Sequence, residues 1–146
     1  MSTVVVTGGA GYIGSHAVRA LAAAGTRVIV YDNLSAGHRR AASLAGGSLE
    51  VGEIHDAVRL RDVLRTTGAD AVMHFAAWLS VSDSVKDPIG YYDNNVGGAL
   101  AVLRAMVEAG TRHFIFSSTA ATFGNPVRTP IDETHPQAPI NAYGQT

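Results

Sequence analysis

Val4-Val-Val-Thr-Gly-Gly-Ala-Gly-Tyr-Ile-Gly-Ser-His16 reads as a buried strand, a glycine turn and a helix start in one run. Val4, Val5 and Val6 are consecutive β-branched apolar residues, which suits a parallel strand covered on both faces. Helical spacing then takes over, with Ile13, Ala17, Ala20, Leu21 and Ala24 on one apolar stripe. Between them Gly8, Gly9, Gly11 and Gly14 satisfy G-x-x-G-x-x-G from Gly8 and G-x-G-x-x-G from Gly9. Backbone amides approach a diphosphate only through a turn with positive φ or no Cβ, and the last glycine lets helix and strand pack closely. The helix N-terminus, with free amides and partial positive charge, then faces the phosphates. The run predicts a nucleotide phosphate cradle.

Glycine turns alone are common, so the next element matters. Arg27-Val-Ile-Val-Tyr31 is a second apolar run and ends in Asp32, eighteen residues after Gly14. An acid at that tip accepts hydrogen bonds from an adenosine ribose and repels a 2′-phosphate, favouring NAD over NADP. Arg39 and Arg40 offer the counter-reading, since basic residues there accept a 2′-phosphate, but Asp32 holds the decisive tip. The plain structural alternative is an Asp that merely opens a turn before Asn33.

The 146 residues are 47% hydrophobic and 16% charged, with net charge -1, which fits one domain able to bury a core. That charge does not support nucleic-acid binding. With no cysteine, disulfides and thiolate metal sites are excluded. The histidines at 16, 38, 55, 74, 113 and 135 never pair as H-x-x-x-H, so no metal site is expected. The first apolar stretch is too short to cross a bilayer and runs straight into the glycine turn. The reading is therefore a cytoplasmic chain with no secretory signal and no membrane partner.

Asn33 to His38 form a polar turn suited to the adenosine end of a dinucleotide. Ser48 to Val51 read as a third strand. Asp56 reads as the N-cap of a helix with Val58, Leu60, Val63 and Leu64 on its apolar side, stopped by Gly68. Asp70 to Ala77 form a fourth strand beside the first, which opens a ligand crevice at the carboxyl ends of the two. Phe75, Ala76, Ala77, Trp78 and Leu79 line it, with Trp78 either a packing residue or a wall of the site. Ser82 to Pro88 read as polar punctuation. A long helix over Tyr91–Ala109 carries Val96, Ala99, Leu100, Leu103 and Val107 and ends at Gly110. Asn94 and Asn95 are unusual inside a helix, and one of them is expected to do polar work on the crevice side. Arg112 to Ser117 form a fifth strand, bringing Ser117, Ser118 and Thr119 to the same edge. Gly124 to Pro139 lack periodicity and read as an active-site loop. The fold class is α/β, a doubly wound parallel sheet of order 3-2-1-4-5 in a single Rossmann-type domain spanning 1–146.

These residues together resemble the amino-terminal part of the UDP-glucose 4-epimerase family, in the extended short-chain dehydrogenase/reductase superfamily. The likeness covers essentially the whole chain. It is carried by Thr7 to His16, Asp32 to Gly37, His74 to Ala77, Tyr91 to Val96, Phe116 to Gly124 and Asn141 to Gly144. Glu53 where Asp is usual, Val81-Ser-Asp-Ser-Val85 for V-G-E-S-V, and Phe123 for a frequent Tyr are the departures. The resemblance implies transient oxidation of a UDP-sugar at C4 by tightly held NAD, interconverting UDP-glucose and UDP-galactose. It assigns Tyr143 of Y-x-x-x-K as catalytic base and Thr119 as the hydroxyl that bonds the reacting sugar oxygen. It places Gly8, Gly11, Tyr12, Ile13, Gly14, Asp32, Asn33, Leu34, Ser35, Ala36, Gly37, Glu53, Ile54, Phe75, Ala76, Ala77, Trp78, Leu79 and Asn94 on the cofactor, with no metal. A phenol with an ordinary pKa of about 10 acts as a base at neutral pH only beside positive charge, which lysine and oxidised nicotinamide supply.

The lysine of the motif would fall at 147, and Lys86, the only lysine, lies in an unrelated segment. The resemblance thus implies a cofactor-binding half, truncated before the last strands and the sugar-nucleotide domain and inactive alone. In the full-length form it implies a homodimer built with the Tyr91–Ala109 helix, so that this piece exposes apolar surface and is expected to be poorly soluble or to associate in a non-native way. The alternatives are a non-catalytic NAD-binding module and a sugar-nucleotide 4,6-dehydratase. The latter wants acids after Thr119, where Ala120 and Ala121 stand.

Overall fold

The computed structural model describes residues 2–146. In chain order the elements are β1 (Thr3–Thr7), α1 (Tyr12–Ala23), β2 (Arg27–Asp32), α2 (Arg39–Leu44), β3 (Ser48–Val51), α3 (Ala57–Thr67) and β4 (Ala71–His74). There follow α4 (Val81–Lys86), α5 (Pro88–Tyr91), a π-helical turn (Tyr92–Gly97), α6 (Gly98–Ala109), β5 (His113–Phe116), a 3-10 turn (Ala120–Phe123) and α7 (Ala142–Gln145). Where the sequence reads as one domain, the chain divides into two compact units. The first runs to Ala77 and resumes over Gly98–Ser117; the second comprises Trp78–Gly97 and Ser118–Thr146. No helix among the described residues is long and apolar enough to cross a membrane.

The first unit is a parallel sheet of order β3-β2-β1-β4-β5, as the sequence predicts. Its centre needs apolar residues on both faces, and the valine runs supply them by alternation. Val5, Ile29, Tyr31 and Val72 point to one side, where Leu60, Val63 and Leu64 of α3 and Val102, Ala105 and Met106 of α6 cover them. Val4, Val6, Val28 and Val30 point to the other, under Val18 of α1 and Ala42 of α2. Both ends of α3 are as expected: the Asp56 carboxylate accepts the Arg59 amide at 2.9 Å, and Gly68 closes α3 in the left-handed conformation at φ 63°.

Three helix faces differ from the periodicity reading. In α1 the buried positions are Gly14 and Val18, one residue out of phase with the predicted stripe, and Ile13 is exposed. The reason is Gly14, which must lie against the strand and so fixes the helix's rotation. In α3 Val58 is exposed while Leu60, Val63 and Leu64 are buried. In α6 the buried face is Gly98, Val102, Ala105 and Met106, and Leu100, Leu103 and Val107 of the predicted stripe face solvent. The expected single helix is broken by the π-helical turn, whose extra residue per turn rotates everything after it. Two further helices are present: α2, just after the polar turn in a stretch given no assignment from the sequence, and α4, which overlaps the stretch read as punctuation; Ser80 caps α4 by accepting the Asp83 amide.

The second unit contains α4, α5, the π-helical turn, the 3-10 turn and α7. Pro88 opens α5 at its first turn, as read from the sequence, under an Asp87 cap. The Gly124–Pro139 stretch is irregular, apart from a buried His135 whose Nε2 accepts the Val127 amide at 3.1 Å.

The α3 face gives a direct check. Leu60→Ala is expected to lower unfolding free energy by about 2–5 kcal/mol, whereas exposed Val58→Ala changes it by less than about 1 kcal/mol. Urea denaturation of the two variants measures both, and equal losses would contradict this helix orientation.

Candidate functional site

In the first unit the carboxyl ends of β1, β2 and β4 converge on one peptide. The Gly8 amide donates to the Tyr31 carbonyl at 2.9 Å, and the Gly8 carbonyl accepts the Gly11 amide at 3.1 Å. Gly8 has φ 71°, and a Cβ there would stand 2.6 Å from the Ala76 nitrogen and 2.7 Å from the Phe75 carbonyl carbon. A Cβ on Gly14 would run into the Gly8 carbonyl oxygen itself. The loop is therefore glycine-built for packing against its own chain. The consequence for a ligand is at α1: no side chain among the described residues caps it at Gly11, and its first turn carries no acid. Its amide dipole is left uncompensated, which is what an incoming anion requires.

Asp32 is 7% exposed, with one carboxylate oxygen accepting the Ala10 amide at 3.0 Å and the other the Leu34 amide at 2.8 Å. The first bond ties the β2 tip to the glycine loop; the second holds Leu34 in the left-handed conformation at φ 62°. Each carboxylate oxygen retains a further lone pair for a hydroxyl. Gly37 packs against both Ala10 and the Asp32 carboxylate, closing the turn. Asn33 donates to the Glu53 carboxylate at 3.0 Å, and its own oxygen accepts the Ser35 amide and hydroxyl. Ala36 is exposed at the outer edge of the same turn, and Tyr12 and Ile13 are exposed at the start of α1. Ile54, by contrast, is buried in the α3 and α6 core, so only its backbone is presented outward.

Two supports of this edge lie outside the residues predicted from the sequence. Tyr31 donates its hydroxyl to the Glu53 carbonyl at 3.1 Å; burial, then Asp56 nearby, pushes the phenol up to about 12, so it stays a donor. Thr7 and His74, paired across β1 and β4, share a 2.6 Å hydrogen bond between Thr7 Oγ and His74 Nδ1. His74 stacks on Phe116 at 5.8 Å and 22°, and burial lowers its pKa to about 4. In the sequence both supports show only as polar residues within strand runs, with nothing there to name their partners.

In the second unit Trp78 and Leu79 are exposed, and the Trp78 ring meets buried Tyr91 edge-on at 5.4 Å. Tyr143 lies in α7, its ring edge-on to Tyr91 at 6.5 Å. Thr119 caps the 3-10 turn, its hydroxyl accepting the Ala121 amide at 3.2 Å. Gly144 packs against the Ala121 carbonyl, so the segments bearing Thr119 and Tyr143 are neighbours. Asn94 is half-buried and donates to Asn95, and it is Asn95 that is buried.

Residues 4–146 match the NAD dependent epimerase/dehydratase family. The chain belongs to that family. Among its relatives, the UDP-glucose 4-epimerase of Rhizobium meliloti is 52% identical over 145 residues, covering 99% of this chain and 44% of that protein. The UDP-glucose 4-epimerase of Brucella ovis, solved in complex with NAD, superposes with TM-score 0.94 at 46% identity, over 99% of this chain and 44% of its own. That of Stenotrophomonas maltophila, with bound NAD and formylated UDP-arabinopyranose, gives TM-score 0.96 at 36% identity, over 99% and 45%. The chain thus spans a little under half the length of these family members.

His74 makes stability depend on pH. Folded, it takes up a proton only near pH 4, while the unfolded chain does so near 6.5, so between these values the unfolded state binds more protons. Stability therefore rises with pH through that window and is fully present above it. Between pH 7.5 and pH 5 the loss from this residue is expected to be on the order of 2 kcal/mol. Chemical denaturation across that range should show a flatter profile for His74→Asn than for the parent; parallel profiles would refute the assignment.

Proposed function

We propose that the chain is the cofactor-binding portion of a UDP-glucose 4-epimerase, interconverting UDP-glucose and UDP-galactose in galactose metabolism. The observation that carries the proposal is the uncapped, acid-free N-terminus of α1 joined to Asp32 through the Ala10 amide. A diphosphate fits the first and a ribose hydroxyl the second, on one continuous backbone. A 2′-phosphate at the β2 tip would meet the buried Asp32 charge, which favours NAD. Relatives of this chain have been solved with NAD, and one with a UDP-sugar derivative as well, which supports the same ligands here.

On this reading the glycine loop from Gly8 to Gly14 holds the diphosphate. Asp32 to Gly37, with Glu53, hold the adenosine end, and Phe75 to Leu79 with Asn94 line the nicotinamide half. Bound NAD would supply the hydride acceptor for C4 of the sugar and would return the hydride to the opposite face of the 4-keto sugar after that sugar has turned over, which inverts C4. Tyr143 accepts the proton of the C4 hydroxyl as the hydride leaves and gives it back afterwards, while Thr119 holds that oxygen by a hydrogen bond. Atoms and electrons return to their starting balance, so the reaction is an isomerisation. The enzyme works in the cytoplasm as a homodimer, for which the exposed apolar face of α6 is suited, and takes a UDP-sugar as substrate without nucleic-acid or membrane partners.

Fluorescence titration with NADH tests the cofactor half directly. Saturable binding is expected, weakened at least about tenfold by Asp32→Asn, a loss of about 1.4 kcal/mol. Failure to bind, or an unchanged affinity in the variant, would overturn the reading. In an epimerase carrying this sequence, Tyr143→Phe is expected to cut kcat by at least about a hundredfold with little change in bound NAD.

A further inference from the structure

In the irregular stretch of the second unit, every residue from 125 to 138 is exposed except His135, which is 4% exposed. The stretch is closed at its neck: Gly124 has φ 61°, and a Cβ on it would run into the Ala138 carbonyl oxygen. Fifteen residues whose ends meet make a compact Ω-loop, a form that is packed by its own side chains. Histidine is a costly filling unless both ring nitrogens find partners. Both do, with main chain alone. Nε2 faces the Val127 amide at 3.1 Å, and Nδ1 faces the Pro136 carbonyl at 2.9 Å. An amide only donates and a carbonyl only accepts, so the ring is neutral with its proton on Nδ1. The Phe123 ring, at the end of the 3-10 turn, meets it edge-on at 5.5 Å and 90°.

We propose that His135 is a proton-operated latch: the neutral ring fills the 124–139 loop and holds it shut, and a proton on Nε2 releases the Val127 amide and opens it. Protonation turns Nε2 from acceptor to donor, and a donor cannot bond the Val127 amide, which is itself a donor. The new charge would also be buried, so the ring gains by swinging out to water. The charged groups of the loop do not hold it in. Arg128, Asp132 and Glu133 are exposed, and the Asp132 carboxylate is already engaged by the Arg128 guanidinium at 2.7 Å, the Thr134 hydroxyl at 2.7 Å and the Thr134 amide at 2.9 Å. The Thr134 hydroxyl first, then Arg128, hold the Asp132 carboxyl below its usual range, and His135 adds least. The 3-10 turn packed against the ring brings no charge. The neck of the loop lies between that turn, which Thr119 caps, and Asn141, which caps α7 by accepting the Gly144 amide at 2.8 Å. An open loop therefore loosens the tie between those two segments. Its effect on turnover rests on the reading of Thr119 and Tyr143, whereas the latch does not.

The latch is read without turnover, from the ring nitrogens of His135 in protein labelled with 15N-histidine and from hydrogen exchange at the Val127 amide. Exchange is taken as protection relative to the Val30 amide of β2, so that global unfolding cancels. At about pH 8 the ring is expected in the Nδ1–H form with Val127 protected. Towards about pH 5, across the range in which histidine changes charge, Nε2 takes a proton and Val127 protection falls at least about tenfold. His135→Gln presents an amide oxygen in place of Nε2 and takes no proton, so its Val127 protection is expected to change by less than about twofold over the same range. His135→Phe keeps a ring but neither bond, and leaves Val127 unprotected throughout. A ring that protonates while Val127 stays protected, one that stays neutral to the lower pH, or an Nε2–H form at the higher pH would overturn the proposal. So would a pH response in His135→Gln equal to the parent's. The parent spectra decide the matter even if neither variant folds.

Discussion

The first unit depends on one peptide, that of Gly8, occupying a space in which only hydrogen fits. Its amide is bonded to the end of β2, its carbonyl to the Gly11 amide, and a Cβ on it would run into the backbone after β4. Strand ends separated by more than sixty residues in sequence are thereby fixed to one another by main chain alone. A side chain on Gly8 would need to displace the Phe75–Ala76 backbone, and one on Gly14 would push α1 off the loop. The close approach is what turns α1 so that Gly14 and Val18 face the sheet, leaving Tyr12 and Ile13 outside. A steric condition at two atoms thus selects the helix face, the direction of the helix dipole and the position of the uncapped amides.

The same condition explains what could and could not be read from the sequence. Strand order followed from the alternation of valine runs with helical segments, and the ends of α3 from Asp56 and Gly68, because each of these is a local choice. The rotation of α1 is not local: Ile13, Ala17 and Leu21 make a plausible stripe, but the packing of Gly14 on Gly8 turns the helix so that Gly14 and Val18 are buried, Leu21 is only partly so and Ile13 is exposed. In α6 the sequence offers two apolar stripes, and the π-helical turn decides which one faces the sheet. Nothing in residue type announces such a turn except the pair Asn94 and Asn95, whose oddness in a helix was visible. Which of the two would be buried was not, because that depends on where the Trp78 peptide lies.

The candidate site shows the same division. Gly8, Gly14 and Asp32 were legible because each solves a backbone problem that leaves a pattern in sequence. Tyr31, Thr7 and His74 were hidden among strand residues, since a buried polar atom becomes interpretable only once its partner is known. Their hydrogen bonds nevertheless decide how stiff the ligand edge is. The Thr7–His74 bond crosses the first and fourth strands at the level of the glycine loop, and Tyr31 anchors the carbonyl of Glu53 at the end of the third. Burial keeps the His74 ring neutral at physiological pH, so it adds polarity to this edge without adding charge.

That neutrality bears on cofactor choice. Among the described residues, the buried charge at the β2 tip is the Asp32 carboxylate alone, already steadied by two backbone amides. A ribose hydroxyl can donate to its remaining lone pairs, whereas a 2′-phosphate would bring more negative charge against a carboxylate with no buried cation to offset it. The exposed arginines at 39 and 40 lie in water, where a single charge at close range is worth about 1 kcal/mol and is weakened further by salt. On the proposed reading, discrimination would rest on burial: the same Asp32 in a solvated turn would repel a phosphate only weakly. The bond from Ala10 that holds the carboxylate against the glycine loop is thus also what makes its charge count.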